Sequence, residues 1–418
     1  MTFLKPSLFL CLFFGAGIYA EASLSAVSWL GGGGDNDRVV GTAVLPDGAI
    51  VLAANIGDAQ PGGVQSVLLN SAKEASGGAL VVLSGDGTSV ESVVRIADEL
   101  LDMACDSEGN MYLAAAAQGI IKYDPAATEV VWTKACGGYC RRIDAGTDGT
   151  VAGLNNTGDN SGRTYVYDTD GAGLGDFGGL HRTQDVAVCS DLQYVYQTGF
   201  ANKGSGCNPV QVAYLRALTY DGTQQWNNYD WPGTQLDNCD GDGYVNNMAD
   251  TRGYRVSIGA DGKLYCAFES AGGNHIFRYH PRDDLLLKNK VSIVGGDFWH
   301  NWYNTKSEHK TFFARFDPAT GDYLRGQQFC TRYCAQADNC KCGGNAVRVK
   351  EGDIMADSEG RVYLAGASAS GLPIPDYSDC KDFTVPDGGA AYNPFDVNTY
   401  SGGAFILIMS ADFSKRLY

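Results

Sequence analysis

Three groups of residues in this sequence have types and spacing that can do chemistry. Asn238, Asp240 and Asp242 alternate their oxygen-bearing side chains ahead of Gly243. That is the pattern of a calcium loop, in which alternate residues face the ion and glycine permits the sharp turn. Ala249 stands at the twelfth position, where a bidentate Glu belongs, so Asp250 is the expected substitute; the competing reading is a polar turn. Cys330, Cys334, Cys340 and Cys342 offer four thiols, yet C-x3-C-x5-C-x-C is not a common zinc spacing, and disulfides compete for them. The third group is aromatic: Trp226, Tyr229 and Trp231 in one stretch, and Phe298, Trp299, Trp302 and Tyr303 with His300 and His309 in another. Such rings stack on sugars or peptides while polar neighbours hydrogen-bond to them, or they simply pack long loops onto a scaffold.

The sequence carries no HExxH, nucleophile elbow, Walker loop or C-x-x-C-H site. His181, His275, His280, His300 and His309 fall at no spacing that demands a metal. The formal charge is -17 and Lys and Arg are not clustered, which argues against a nucleic acid partner. The acidity suits solubility, cation binding or a basic partner.

The elements that must position these groups are short hairpins. A strand, an acidic or glycine turn and a second strand recur at Val44 to Ala54, Cys105 to Ala115, Gly146 to Gly149, Ser190 to Leu192, Ala260 to Gly262 and Ser358 to Gly360. In five copies Asp-Gly or Glu-Gly supplies the left-handed backbone of a tight turn; the copy at Leu192 has lost its glycine, so its turn must differ. A second hairpin follows each: Ala79 to Ile96, Gly119 to Ala135, Arg163 to Gly178, Ala213 to Tyr229, Thr311 to Phe329 and Ala404 to Tyr418. Two hairpins make a four-stranded antiparallel blade, so the expected fold is all-β: a single β-propeller of about six four-stranded blades, with loop insertions near 221–250 and 281–310. The strand Leu24 to Leu30 is expected to close the last blade by pairing with the hairpin Phe405 to Tyr418. Counting back from each turn places Asp102, Arg142, Asp185, Arg255 and Asp353 at the channel, where they can hold an ion or pair with one another.

Ser25-Ala26-Val27-Ser28-Trp29-Leu30-Gly31-Gly32 with the hairpin Gly41 to Ala54 resembles the SBBP-type β-propeller repeat. The run Gly343-Gly344-Asn345, Ala356 to Gly366, Leu372-Pro373 and Gly402 to Phe405 is similar. About a third of the chain carries the likeness. It implies a propeller with an exported or surface location and transfers no catalytic residue.

Lys5 followed by the apolar run Leu8 to Ala20 reads as a secretory signal peptide, residues 1–20, cut after Ala20 or Ala22. No stretch is long and apolar enough to span a membrane. A secreted, periplasmic or cell-surface protein is expected, with propeller residues 21–418. There the twelve cysteines left after Cys11 is removed read as up to six disulfides, with Cys207 and Cys239 a brace across a long loop, and Cys136 and Cys140 either closing a small local loop or bonding to distant cysteines. The functional expectation is a binding or scaffold module for a glycan or protein, with calcium as the one cofactor suggested. The alternatives are a metal-assisted hydrolase or lyase at the channel mouth and a purely structural surface protein.

Overall fold

In the computed structural model, the described residues are 38–56, 67–68, 77–126, 129–155, 162–203, 210–232, 250–271, 276–282, 289–294, 309–331, 347–368, 373–374 and 403–418. The first hairpin shows the rule that the others follow. The Gly48 amide donates to the Leu45 carbonyl and the Leu45 amide to the Ala49 carbonyl, both at 2.8 Å, while Asp47 accepts the Ala49 amide at 2.9 Å. Gly48 has φ 89°, which completes a type I turn with a left-handed residue at its end. Gly109, Gly149, Gly262 and Gly360 do the same with φ between 72° and 85°. In the copy that lacks glycine, Gln193 takes φ 54° and donates to the Ser190 carbonyl at 3.1 Å, so the turn survives with a side chain in the left-handed region.

These turns join the inner strands of six antiparallel sheets. Blade 1 is β1 (Arg38–Val44), β2 (Ile50–Asn55), β4 (Gly78–Leu83) and β5 (Val90–Ile96), with β3 (Val67–Leu68) parallel to β5 at its outer edge. Blade 2 is β6 (Leu100–Cys105), β7 (Met111–Ala115), β8 (Gly119–Tyr123) and β9 (Val130–Lys134). Blade 3 is β10 (Cys140–Ala145), β11 (Val151–Asn155), β12 (Arg163–Tyr167) and β13 (Gly173–Gly178). Blade 4 is β14 (Arg182–Cys189), β15 (Tyr194–Lys203), β16 (Val210–Thr219) and β17 (Gln224–Tyr229). Blade 5 holds β18 (Asp250–Ile258), β19 (Leu264–Ala271), β20 (His309–Phe316) and β21 (Tyr323–Thr331). Blade 6 holds β22 (Val347–Ala356), β23 (Val362–Ser368) and β25 (Gly403–Met409), while β24 (Pro373–Ile374) pairs with β21 and covers the edge of blade 5. The fold is a six-bladed β-propeller.

After β25 the chain turns back: Ser410 donates to Lys415, Leu417 donates to Ile408, and Ile408 donates to Tyr418 at 2.9 Å. The expected closing strand Leu24 to Leu30 and the signal peptide lie outside the described residues. Of the insertion expected near 221–250, Gln224–Tyr229 is instead the fourth strand of blade 4.

The burial pattern explains which strands read as apolar runs. A second strand has neighbouring sheets packed on both faces, so β2 (IVLAAN) and β7 (MYLAA) are buried at every position. An outermost strand has water on one side, so β9 (VVWTK) alternates. Blades 1 to 3, with Val186–Val195 and Tyr220–Gly222, form one compact unit, and the rest of blade 4 with blades 5 and 6 forms another. In the first, Leu80, Met103, Leu113 and Tyr123 fill the core of blades 1 and 2, and Leu154, Val166, Val188 and Val195 that of blade 3 with the start of blade 4. In the second, Tyr265, Phe313, Val362, Leu407 and Phe413 do so for blades 5 and 6. No helix among the described residues is long and apolar enough to cross a membrane.

Candidate functional site

Four of the five residues expected at the channel, Asp102, Arg142, Arg255 and Asp353, occupy a recurring structural position. The β-bulges of the inner strands fall between Leu100 and Asp102, Cys140 and Arg142, Gly253 and Arg255, and Arg348 and Asp353. Each of these polar residues therefore follows a bulge, where the extra residue re-aims the next side chain. In the first unit, Asp102 accepts the Ile143 amide of the next inner strand at 3.1 Å and lies 3.8 Å from the Arg142 guanidinium. Asp144 repeats the device with the Val188 amide at 2.7 Å. In the second unit, Asp185 accepts the Val256 amide at 3.0 Å, and Asp353 accepts the Ile354 amide at 2.8 Å. Arg255 reverses the polarity: it donates to the Tyr254 carbonyl at 2.8 Å and to the Lys350 and Gly352 carbonyls of the next inner strand. Apart from Asp353, which bonds within its own strand, these groups clip inner strand to inner strand.

The turns engage further acidic groups. Asp106 accepts the Glu108 and Asn110 amides and the Tyr112 hydroxyl, and Asp261 accepts the Lys263 amide and the Tyr265 hydroxyl. Asp357 accepts the Glu359 and Arg361 amides and the Tyr363 hydroxyl. Burial tends to raise the Asp357 carboxyl, but the bonds from Arg361 and Tyr363 outweigh it and hold the group below the usual range. Among the described residues, no group of three His, Cys, Asp or Glu is placed to hold a metal ion.

Of the residues expected to bind a ligand, Trp226 and Trp231 are buried. Trp226 in β17 stacks against Tyr196, donates its indole N–H to the Pro318 carbonyl at 3.2 Å and lies against Gly321. Trp231 meets Tyr229 edge to face, inside a cluster with Phe268 and Phe277. Both indoles are spent on packing. Trp299, His300, Trp302 and Tyr303 lie outside the described residues, and so does the side chain of His309, whose backbone begins β20. Asn238, Asp240 and Asp242 also lie outside them. Asp250 begins β18, accepts the Gln211 amide at 2.9 Å and pairs with Arg252 at 3.3 Å, so its carboxylate already has partners.

One cluster escaped the sequence reading. Arg182 and Arg252 both lie over the Phe200 ring, at 5.5 and 5.8 Å, and Tyr254 meets the same ring edge to face. Glu269, buried, holds Arg252 at 3.3 Å. Burial, and after it the Glu269 charge, pushes the Tyr254 phenol up to about 12. The available signal was an Arg near the start of each inner strand of blades 4 to 6: Arg182, Arg252 and Arg348.

The described cysteines Cys105, Cys136, Cys140, Cys189 and Cys266 carry no bridge in this structure, and Cys266 is buried beside the Thr198 hydroxyl at 3.5 Å, a small apolar packing residue. Burial pushes the Cys105 thiol up to about 12. Cys207, Cys239, Cys334, Cys340 and Cys342 and the Cys330 side chain lie outside the described residues.

The registers of the second unit bring its long connections to one end. Asp250 pairs with Ala271, Ala271 with His309, and Thr311 with Phe329. In blade 6, Val347 pairs with Ser368 and Ser368 with Gly403. The strand ends that flank residues 233–249, 272–308, 332–346 and 369–402 therefore all lie where the inner strands begin. The opposite end of these blades carries tight turns at Ile258 to Leu264, Phe316 to Tyr323 and Ala356 to Val362. Part of the second insertion is packing: Val294 bridges to Gln327, the Tyr323 hydroxyl donates to the Ser292 carbonyl at 2.8 Å, and Phe277 stacks on Phe312.

The fold defines a class, a six-bladed β-propeller, and in blades 5 and 6 the longest intervals of sequence separate strand ends that lie where the inner strands begin. Compared with known proteins, the chain matches no family model and no curated sequence.

Proposed function

We propose that the protein is a binding module, exported to the cell surface or beyond, that presents the connections of blades 4 to 6 to a glycan. The observation that supports this most is the gathering of the long connections at the strand-start end of blades 5 and 6, with tight capped turns at the other. Recognition commonly resides in loops held by a rigid scaffold. The connection after Val294 carries Trp299, His300, Trp302 and Tyr303, rings and hydrogen-bonding groups of the kind that hold a sugar face. The hydrolase or lyase alternative has less support, because the inner-strand Asp and Arg side chains are engaged with neighbouring backbone. Calcium at Asn238, Asp240 and Asp242 belongs to the same proposal as a loop-ordering ion.

The test is a glycan array probed with the wild type and with Trp299→Ala and Trp302→Ala, each checked for an unchanged unfolding midpoint. Retention on a subset of glycans should fall at least tenfold in the variants. Equal retention by all three removes the aromatic glycan site. Capture of a protein, with no glycan retained, moves the reading to a protein partner.

A further inference from the structure

Cys136 and Cys140 bracket the connection from β9 to β10 in the first unit. Both side chains are buried, 1% and 0% exposed, in one cluster with Tyr112, Ile120, Ile143 and Val151. Between them Gly137 and Gly138 take φ of 60° and 118°. Two consecutive residues in that region need glycine and let the chain fold back within one turn. The turn is held from outside as well: the Asn155 amide donates to the Gly137 carbonyl at 2.5 Å, and the Tyr167 hydroxyl to the Ala135 carbonyl at 2.7 Å. The two thiols hydrogen-bond to each other, and that contact, followed by burial, pushes the Cys140 thiol well up.

We infer that Cys136 and Cys140 form a disulfide with each other, closed by exchange with a small-molecule or protein disulfide. The Cys136 thiolate attacks one sulfur of that disulfide, forms a mixed disulfide and releases the first thiol. The Cys140 thiolate then attacks the Cys136 sulfur and displaces the second thiol. Two electrons pass from the cysteine pair to the oxidant, which leaves as two thiols and takes up the two protons. Burial sets the timing. With both sulfurs enclosed, exchange must occur before blades 2 and 3 finish packing, and afterwards the same enclosure shields the bond from reductants. The loop is so short that it removes little entropy from the unfolded chain. Its effect is local: it fixes the hand-over from the outer strand of one blade to the inner strand of the next.

The full chain, produced through an oxidising compartment, is denatured without reductant in the presence of iodoacetamide and digested with trypsin. Cleavage after Lys134 and Arg141 puts both cysteines on the peptide Ala135 to Arg141. That peptide should carry no alkyl group and weigh two hydrogens less than the dithiol. Two alkyl groups on it overturn the inference, as does a link from either residue to a third cysteine. In Cys140→Ser the Cys136 thiol should take one alkyl group; a Cys136 that stays blocked there is bonded elsewhere, which overturns the pairing equally.

Discussion

The Asp185 carboxylate, on the inner strand of blade 4, accepts the Val256 amide, on the inner strand of blade 5, at 3.0 Å. The two residues are far apart in sequence, and both are buried. An inner strand gives its ladder bonds to the second strand of its own blade, so amides on its other edge need an acceptor from next door. A short carboxylate on the neighbouring inner strand supplies it. Asp102 with Ile143 and Asp144 with Val188 are the same solution in the first unit.

Removing the acceptor should therefore cost more than removing its charge. Asp185→Ala leaves the Val256 amide buried without this partner, a loss of about 1–3 kcal/mol, whereas Asp185→Asn keeps an acceptor oxygen and should lose about 1 kcal/mol. Urea midpoints with unchanged m-values measure both. A midpoint for Asp185→Ala equal to wild type would show that the clip carries no weight.

Acid should loosen the outer turns in a defined window. Asp412 accepts the Ser410 hydroxyl at 2.6 Å and the Ser414 hydroxyl and amide; those bonds, the Ser410 hydroxyl first, lower its carboxyl from 3.8 to about 2. Asp86 repeats the motif with Ser84 and Thr88 and falls likewise to about 2. A carboxylate with a depressed folded value stabilises the fold fully above its unfolded value of 3.8 and stops contributing as pH falls toward 2. The unfolding midpoint should fall across that interval, and Asp412→Asn should make the fall shallower. Because both turns are exposed, salt should weaken the effect. A variant with the wild-type slope would remove Asp412 from the account.

How much of this was written in the sequence depends on the range of the interaction. The turns were legible because Asp47-Gly48 or Asp261-Gly262 settles its own geometry within a few residues. The inner-strand positions of Asp102, Arg142 and Arg255 followed, since the turn fixes the hairpin register and counting back reaches them, although the bulges before them were not foreseen. Their partners were not legible: nothing near Asp185 in sequence names the Val256 amide, which only the radial packing of blades brings close. Trp226 misled for a related reason. Gln224–Tyr229 has polar residues beside its aromatic ones and resembles a binding loop, yet it is an outer strand whose indole reaches Pro318 across a long stretch of chain. The Arg182 and Arg252 pair over Phe200 is likewise an arrangement of three separate strands.

The one inner turn that keeps the geometry without its glycine offers the sharpest test of the turn rule. Gln193 sits at φ 54° where Gly109 and Gly360 sit at 85° and 77°. A non-glycine residue there costs about 1–2 kcal/mol from contact between its Cβ and the following carbonyl. Glycine would remove that strain but add about 0.5–1 kcal/mol of chain entropy to be lost on folding. Gln193 is exposed, so its side chain adds no core packing to set against the exchange. The difference predicts that Gln193→Gly raises stability by about 0.5–1 kcal/mol, read as a higher urea midpoint at constant m. The control is Gly109→Gln, which places the same strain in blade 2, where the added Cβ would also stand 2.7 Å from Pro46 Cδ. It should destabilise by at least as much as Gln193→Gly stabilises. If both substitutions lower the midpoint equally, the left-handed position does not govern the turn.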